Sequence, residues 1–168
     1  MAEGILRARA RAAGLDARVR SAGIMQGGAP ATDHAIGVCA DRGIDISGHV
    51  SRRLEASMVE QADLIIAMTR DHLREAVVMS PPAFAKTFTL RELVRRISLD
   101  PQGSLAELHA GRRIDQYIRP DQDDDVADPV GQARHVYEET ALQLDGLLTR
   151  IVGWLPNLAA ASSTQAAS

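Results

Sequence analysis

Few side chains in this sequence could do covalent chemistry, and they are scattered. One cysteine, Cys39, and five histidines are the candidate nucleophiles and bases among 168 residues. Cys39 falls mid-helix among apolar neighbours (Ile36, Ala40), where a thiol is structural and inert rather than activated. His49 lies in the Ser47-Gly48-His49 turn, and a turn histidine taken alone is more often a hydrogen-bonding residue than a base. Five carboxylates crowd between Pro120 and Pro129: Asp121, Asp123, Asp124, Asp125 and Asp128. A calcium loop of the EF-hand kind needs a glycine and a distal glutamate at fixed spacing, and neither is present, so a solvated acidic loop is expected. Asp128, held by Pro129 at the end of that loop, could serve as a general acid, although composition does not separate it from its neighbours. No glycine-rich loop joins a strand to a helix, and no Ser and His stand at a convincing spacing.

The elements that must position these groups centre on Ala62-Asp63-Leu64-Ile65-Ile66-Ala67-Met68-Thr69. A continuous apolar run this short is expected as a strand covered on both faces, inside a parallel sheet. Leu54–Ala62 before it and Arg70–Met79 after it have helical composition and spacing, giving the helix, strand, helix order of an α/β fold. Ala2–Ala13 reads as a helix stopped at Gly14, and Ala17–Ala22 as a short, half-exposed edge strand ending at Gly23. Thr32 is a candidate N-cap for a helix over Asp33–Arg42, with Gly43 as its stop. Lys86–Leu90 has strand composition, Arg91–Ile97 and Ser104–Gly111 resume helical patterns, and Gln116–Gly131 is a polar surface loop. Val136, Tyr137, Thr140, Ala141, Leu144, Leu147, Leu148, Ile151 and Leu155 define a long amphipathic helix ended by Pro156. The reading is one domain over residues 1–156 and a disordered tail over 157–168.

Composition sets the class. Hydrophobic content of 45% and charged content of 24% suit a globular chain, and with only 3% aromatics the core must be aliphatic. A net charge of −3 gives no reason to expect nucleic acid or an anionic membrane as partner. The basic stretch Arg7, Arg9, Arg11, Arg18, Arg20 reads first as a solvated helix surface. One cysteine excludes an internal disulfide and a multi-cysteine metal site. No apolar run approaches the roughly 20 residues of a membrane span, and a cytoplasmic protein without cofactor or metal is expected.

Several short motifs occur together in a fixed order: Met1-Ala2-Glu3, Ser21-Ala22-Gly23, Arg42-Gly43-Ile44-Asp45-Ile46-Ser47-Gly48-His49, Asp63-Leu64-Ile65-Ile66-Ala67-Met68 and Asp128-Pro129. In this order they resemble the low-molecular-weight protein tyrosine phosphatases, and the terminal helix matches in place. The resemblance implies a three-layer α/β/α fold on a four-stranded parallel sheet. The implied reaction is hydrolysis of phosphomonoesters, chiefly phosphotyrosine, through a cysteinyl-phosphate intermediate, on a phosphorylated protein or a small phosphomonoester. In that family a first strand leads into a Cys-x5-Arg-Ser/Thr loop. Its backbone N–H groups hold the phosphate and depress the thiol pKa, while the arginine forks two oxygens. The match starts at Met1, just after that loop, so this chain is expected to lack nucleophile, arginine and first strand, and to be inactive as it stands.

Carried across, Asp128 matches the family's general acid, while Ser21 and His49 match residues that support the phosphate loop. Val130 stands where an aromatic residue commonly lines the mouth of the site, and Thr69 replaces a usual Asp. Cys39 does not substitute for the missing thiol, having no arginine at the required spacing. An arsenate reductase of the same fold uses additional cysteines absent here. By resemblance the first strand lies between Ala17–Ala22 and Leu64–Met68, so poor stability, aggregation or direct pairing of those two strands is expected. The competing readings are a non-catalytic phosphatase-like binding or regulatory protein and an inert α/β fragment.

Overall fold

Helix ends in this chain are written by threonines and glycines. In a computed structural model, which describes residues 1–119, 121 and 123–165, helix α1 (Ala2–Ala12) ends in a paired closure. Leu15 N–H reaches Ala10 O and Gly14 N–H reaches Arg11 O, with Gly14 at φ 71°, the left-handed position its missing Cβ permits. Helix α2 (Asp33–Ala40) starts at Thr32, whose hydroxyl accepts from Ala35 N–H, and closes in the same way through Gly43 at φ 71°. Thr69 caps α4 (Arg70–Met79) and Thr89 caps α5 (Leu90–Leu99) by the same device. Ser104 and Glu107 form a reciprocal capping box on α6 (Leu105–His109). Between α2 and α4, α3 (Ala56–Gln61) is closed from outside: Lys86 Nζ donates to Glu60 O and Ala62 O.

The chain divides into two compact units. The first holds Met1–Arg53 and Ala127–Val152. Its core is aliphatic, as the composition requires: Ile5, Ala10, Val38, Cys39, Ile44 and Ile46 are buried. From the last helix, α7 (Arg134–Gln165), this unit buries Tyr137, Ala141, Leu144, Leu148 and Ile151, three or four apart. Gly4 lets α1 come close to the 44–46 segment, because a Cβ there would sit 2.5 Å from Ile46 Cγ2. Arg9 forks Asp145 at 2.7 and 2.6 Å, so the basic face of α1 is partly ion-paired rather than simply solvated. On α2 the buried positions are Ala35, Val38 and Cys39, while Ile36 is half-buried and Ala40 exposed. That shifts the expected apolar face by about one position.

The second unit holds Leu54–Val126 and the described chain from Gly153 on. Its sheet pairs β1 (Ile65–Ala67) with β2 (Thr87–Thr89) in parallel, Ile66 opposite Phe88. The α/β class with a parallel sheet is as expected, yet the roles of the strands are reversed. All three residues of β2 are buried, whereas Ile65 and Ile66 of β1 are only half-buried and β2 is the one ladder neighbour of β1 among the described residues. Two apolar clusters surround the pair: Ala67, Leu73, Val77 and Tyr117 in one, Val59, Ala76 and Ala83 in the other.

A buried charge sits in the same unit. The Arg112 guanidinium, fully enclosed, donates to Glu92, Tyr117 Oη, Phe84 O and Thr87 O, and lies 3.9 Å from the Phe88 ring centroid. Glu92 is answered in turn by Arg112, Arg96 and the Tyr117 hydroxyl, so neither charge lacks a partner.

Three expectations change. Ala17–Ala22 forms no ladder; only Gly23 makes an isolated parallel bridge, to Arg53. A strand needs a neighbour, and among the described residues none offers one to that segment. The polar stretch 116–131 is less irregular than expected, opening with the last residues of a 3-10 helix, Ile114–Tyr117. Helix α7 continues through Pro156 to Gln165, although the sequence reading stopped it at Pro156. Trp154 Nε1–H donates to Gly103 O at 2.8 Å and Asn157 Nδ2 to Pro101 O at 3.0 Å, which ties both flanks of the proline. Residues 166–168 of the expected tail lie outside the described residues.

Candidate functional site

Glu3 lies in the first turn of α1, where free N–H groups and the helix dipole favour a carboxylate. Its side chain is 12% exposed, and Ser21 Oγ donates to Oε2 from the segment after α1. His49 Nδ1 stands 3.7 Å from the same Oε2, a distance for charge attraction rather than a hydrogen bond. Arg7, one turn on, pairs with Oε1. Burial raises the Glu3 pKa, but the Ser21 hydroxyl, Arg7 and His49 outweigh it and hold the carboxyl below its usual range. Two of the three residues expected at the site, Ser21 and His49, are thus brought together through a third that was quoted in a motif but given no role. The sequence did carry a signal for Glu3, an acid in the first turn of a helix that begins without a side-chain cap.

Local turns fix how His49 is presented. Asp45 Oδ1 accepts from Ser47 N–H at 2.8 Å, and His49 N–H closes on Ile46 O. The Ser47 backbone N–H, then its hydroxyl, draw the Asp45 pKa down. Ile44 and Ile46 are buried on either side of Asp45, so the alternation of this segment seats the turn on the core.

Asp128 belongs to the same unit and is exposed. Val130 N–H donates to its Oδ1 at 3.0 Å, Gln132 N–H reaches Pro129 O, and Gly131 takes φ 79°. This is a tight turn in which the second carboxylate oxygen has no hydrogen-bond partner among the described residues. No hydrogen bond joins Asp128 to Glu3, Ser21 or His49 among the described residues. Val130, after the Asp-Pro pair, is 63% exposed. Cys39 is wholly buried, and burial pushes its thiol pKa up, the opposite of what activates a nucleophile.

In the second unit the acidic loop differs from expectation. Arg70 donates to Asp124 Oδ2 from Nε at 2.8 Å and pairs with Asp121 at 2.9 Å, while Arg95 takes Asp124 Oδ1 at 2.6 Å. Asp125 Oδ1 accepts the backbone N–H of Arg70 at the start of α4, and Val126 N–H reaches Met68 O. Asp124 is 1% exposed. The loop is therefore pinned at Asp121, Asp124 and Asp125 by arginines distant in sequence, while Asp123 and Asp128 stay exposed as expected. Among the described residues no group of three or more His, Cys, Asp or Glu side chains could hold a metal ion. No helix among them is long and apolar enough to cross a membrane.

Comparison with known proteins bears on what this arrangement serves. The family model described as low molecular weight phosphotyrosine protein phosphatase matches residues 1–102. A protein-arginine-phosphatase of Bacillus subtilis (strain 168) is 31% identical over 152 residues, covering 90% of this chain and 84% of that protein. A probable low molecular weight protein-tyrosine-phosphatase, EpsP of Ralstonia solanacearum, is 41% identical over 76 residues, 45% of this chain and 52% of that protein. Among solved structures, the low molecular weight protein tyrosine phosphatase from T. tengcongensis superposes with a TM-score of 0.70 at 33% identity, covering 90% of this chain and 86% of that one. A YwlE mutant from Bacillus subtilis gives 0.71 at 29%, covering 92% and 88%. These likenesses carry the expected α/β fold.

Proposed function

Since the chain belongs to the low molecular weight phosphotyrosine protein phosphatase family, we propose that its residues serve the dephosphorylation of a phosphorylated protein through a cysteinyl-phosphate intermediate. The observation that carries this reading is the joining of Ser21 and His49 through Glu3, in one unit with the exposed Asp128 turn. Asp128 protonates the leaving oxygen as the thiolate takes the phosphoryl group, and then accepts a proton from the water that hydrolyses the thiophosphate. Glu3, Ser21 and His49 hold the polar floor on which a phosphate loop rests. Cys39, the one cysteine in the sequence, is buried and has no Cys-x5-Arg spacing, so these 168 residues supply the acid and the support but not the nucleophile.

Phosphotyrosine is the first substrate class to test. Phosphoarginine is the second, because the relative matched over most of its length is named a protein-arginine-phosphatase and Val130 supplies no aromatic wall for a phenyl ring.

The test is a graft. The chain alone is expected to leave p-nitrophenyl phosphate unhydrolysed and to bind no orthovanadate. Placed behind an apolar strand and a Cys-x5-Arg-Ser-Pro loop, it is expected to turn the ester over, with Asp128→Asn lowering kcat by about 100-fold or more. Turnover by the ungrafted chain would contradict the absence of a nucleophile. A folded graft that binds orthovanadate without turnover would favour a non-catalytic, phosphate-binding relative.

A further inference from the structure

The imidazole of His109 closes on a charge that keeps its proton at any ordinary pH. His109 is the last residue of α6, half-buried, with Nδ1 3.2 Å from Nη1 of the enclosed Arg112. A guanidinium has donors and no acceptor, so the ring nitrogen facing it carries a lone pair. His109 is therefore neutral in this contact, with its proton on Nε2. A second proton would set two N–H groups head to head and a cation beside a cation. Turning the ring over brings Cδ2–H into the place of Nδ1 and leaves the charge where it was.

The surroundings offer that charge little. From α5, Arg96 donates to Leu108 O at 2.8 Å and Ala110 O at 3.3 Å, on either side of His109 in the chain. Glu92, also on α5, is already bonded by Arg112, Arg96 and the Tyr117 hydroxyl. From the 3-10 turn Pro81–Lys86, the Phe84 ring lies 5.1 Å from the imidazole but carries the Arg112 guanidinium at 4.5 Å, while Lys86 is engaged by Glu60 O and Ala62 O. Glu107 of α6 is held in the capping box with Ser104, and Arg113 pairs with Asp115. Burial first, then Arg112 and Arg96, keep the His109 pKa below its ordinary value, against the pull of Glu92.

When a proton is forced on, α6 is the side that yields. Arg112 is bonded to both oxygens of Glu92, to Tyr117 Oη and to the Phe84 and Thr87 carbonyls. By contrast α6 has five residues, buries Leu108 and ends at Gly111, whose φ is 74°. A helix that short has little stability of its own and depends on what fastens its ends.

We propose that His109 is a proton-operated latch in the second unit: the neutral ring fastens the C-terminal end of α6 to Arg112, and protonation releases residues 104–111 while β2 and α5 keep their places. The latch involves no residue of the phosphatase reading and stands or falls apart from it. With the folded pKa below the ordinary value of 6.5, the closed form is fully stabilised above that pH and loses stability as pH falls towards the folded value.

The experiment follows the isotope-labelled 168-residue chain from about pH 7 to about pH 5 by histidine ring shifts and by amide exchange corrected for the intrinsic rate. His109 is expected to titrate below its ordinary value. The amides of Leu108, Ala110 and Arg112, bonded to Ser104 O, Ala106 O and His109 O, are expected to lose about tenfold in protection over that range. Phe88, in the buried strand, should keep its protection. His109→Asn, which retains a side-chain acceptor and cannot titrate, should make the three protections independent of pH. If that variant does not fold, the ring titration of the unaltered chain decides the same point. His109 titrating at or above its ordinary value overturns the proposal, as does unchanged protection at the three amides. An equal loss at Phe88 overturns it in favour of global unfolding, and the same pH dependence in His109→Asn overturns it in favour of another titrating group.

Discussion

Glu3 answers a hydroxyl, a guanidinium and an imidazole with one carboxylate, and its consequences can be measured without turnover. Its pKa lies below the ordinary glutamate value, because the partners' pull exceeds the opposing effect of burial. A depressed pKa contributes stability that is present above the unfolded value and is lost as pH falls through the folded one. Urea midpoints should therefore drop as pH goes from about 5 to 3, and Glu3→Gln should flatten that dependence while costing about 1–2 kcal/mol at neutral pH. An unchanged slope in the variant would remove Glu3 from the centre of the site. Arg112 gives the second prediction at this scale. Truncating it removes one of the three donors to Glu92 together with the buried guanidinium bonds to the Phe84 and Thr87 carbonyls, so Arg112→Met should cost about 3–5 kcal/mol in urea unfolding, and adding Glu92→Leu should recover part of that loss.

At the scale of elements, helices were easier to read than strands. Arg70–Met79 forms a helix at the boundaries its spacing predicts, and Thr32 caps where its side chain predicts, because a cap involves residues three apart. The strands depend on neighbours. Ile65–Ala67 reads as a central strand on its own composition, yet β2 is the enclosed one; Ala17–Ala22 has the strand period and no ladder partner among the described residues. The far end of α7 departs from its sequence pattern for a similar reason. A proline usually ends a helix, but Trp154, 2% exposed and bonded to Gly103, secures this one from outside the local sequence. Trp154→Ala should cost about 3–5 kcal/mol and reduce helicity by circular dichroism near the C-terminus. Trp154→Phe, keeping most of the volume but not the donor, should cost less.

For the whole molecule, weak or aggregation-prone folding stays an expectation, and it is tested at the half-buried β1 and at Asp16–Ala22, which has no backbone partner among the described residues. Native-state hydrogen exchange should rank them. Phe88, inside the buried strand, should exchange slowest, and Val19 close to the unprotected rate. A Val19 amide as slow as that of Phe88 would mean that the edge is paired in solution.

Sequence alone settled the α/β class, the helix stops at Gly14 and Gly43, the motif order that led to the family, and the single cysteine's lack of Cys-x5-Arg spacing. These are local or compositional properties, legible within a few residues of chain. Tertiary structure decided that Glu3 would gather Ser21 and His49, and that Arg70 and Arg95 would neutralise Asp124 from far along the chain. No window of sequence contains both partners of such pairs. Which carboxylate meets which cation depends on how the loops between them close and on what the core permits to be buried without a partner.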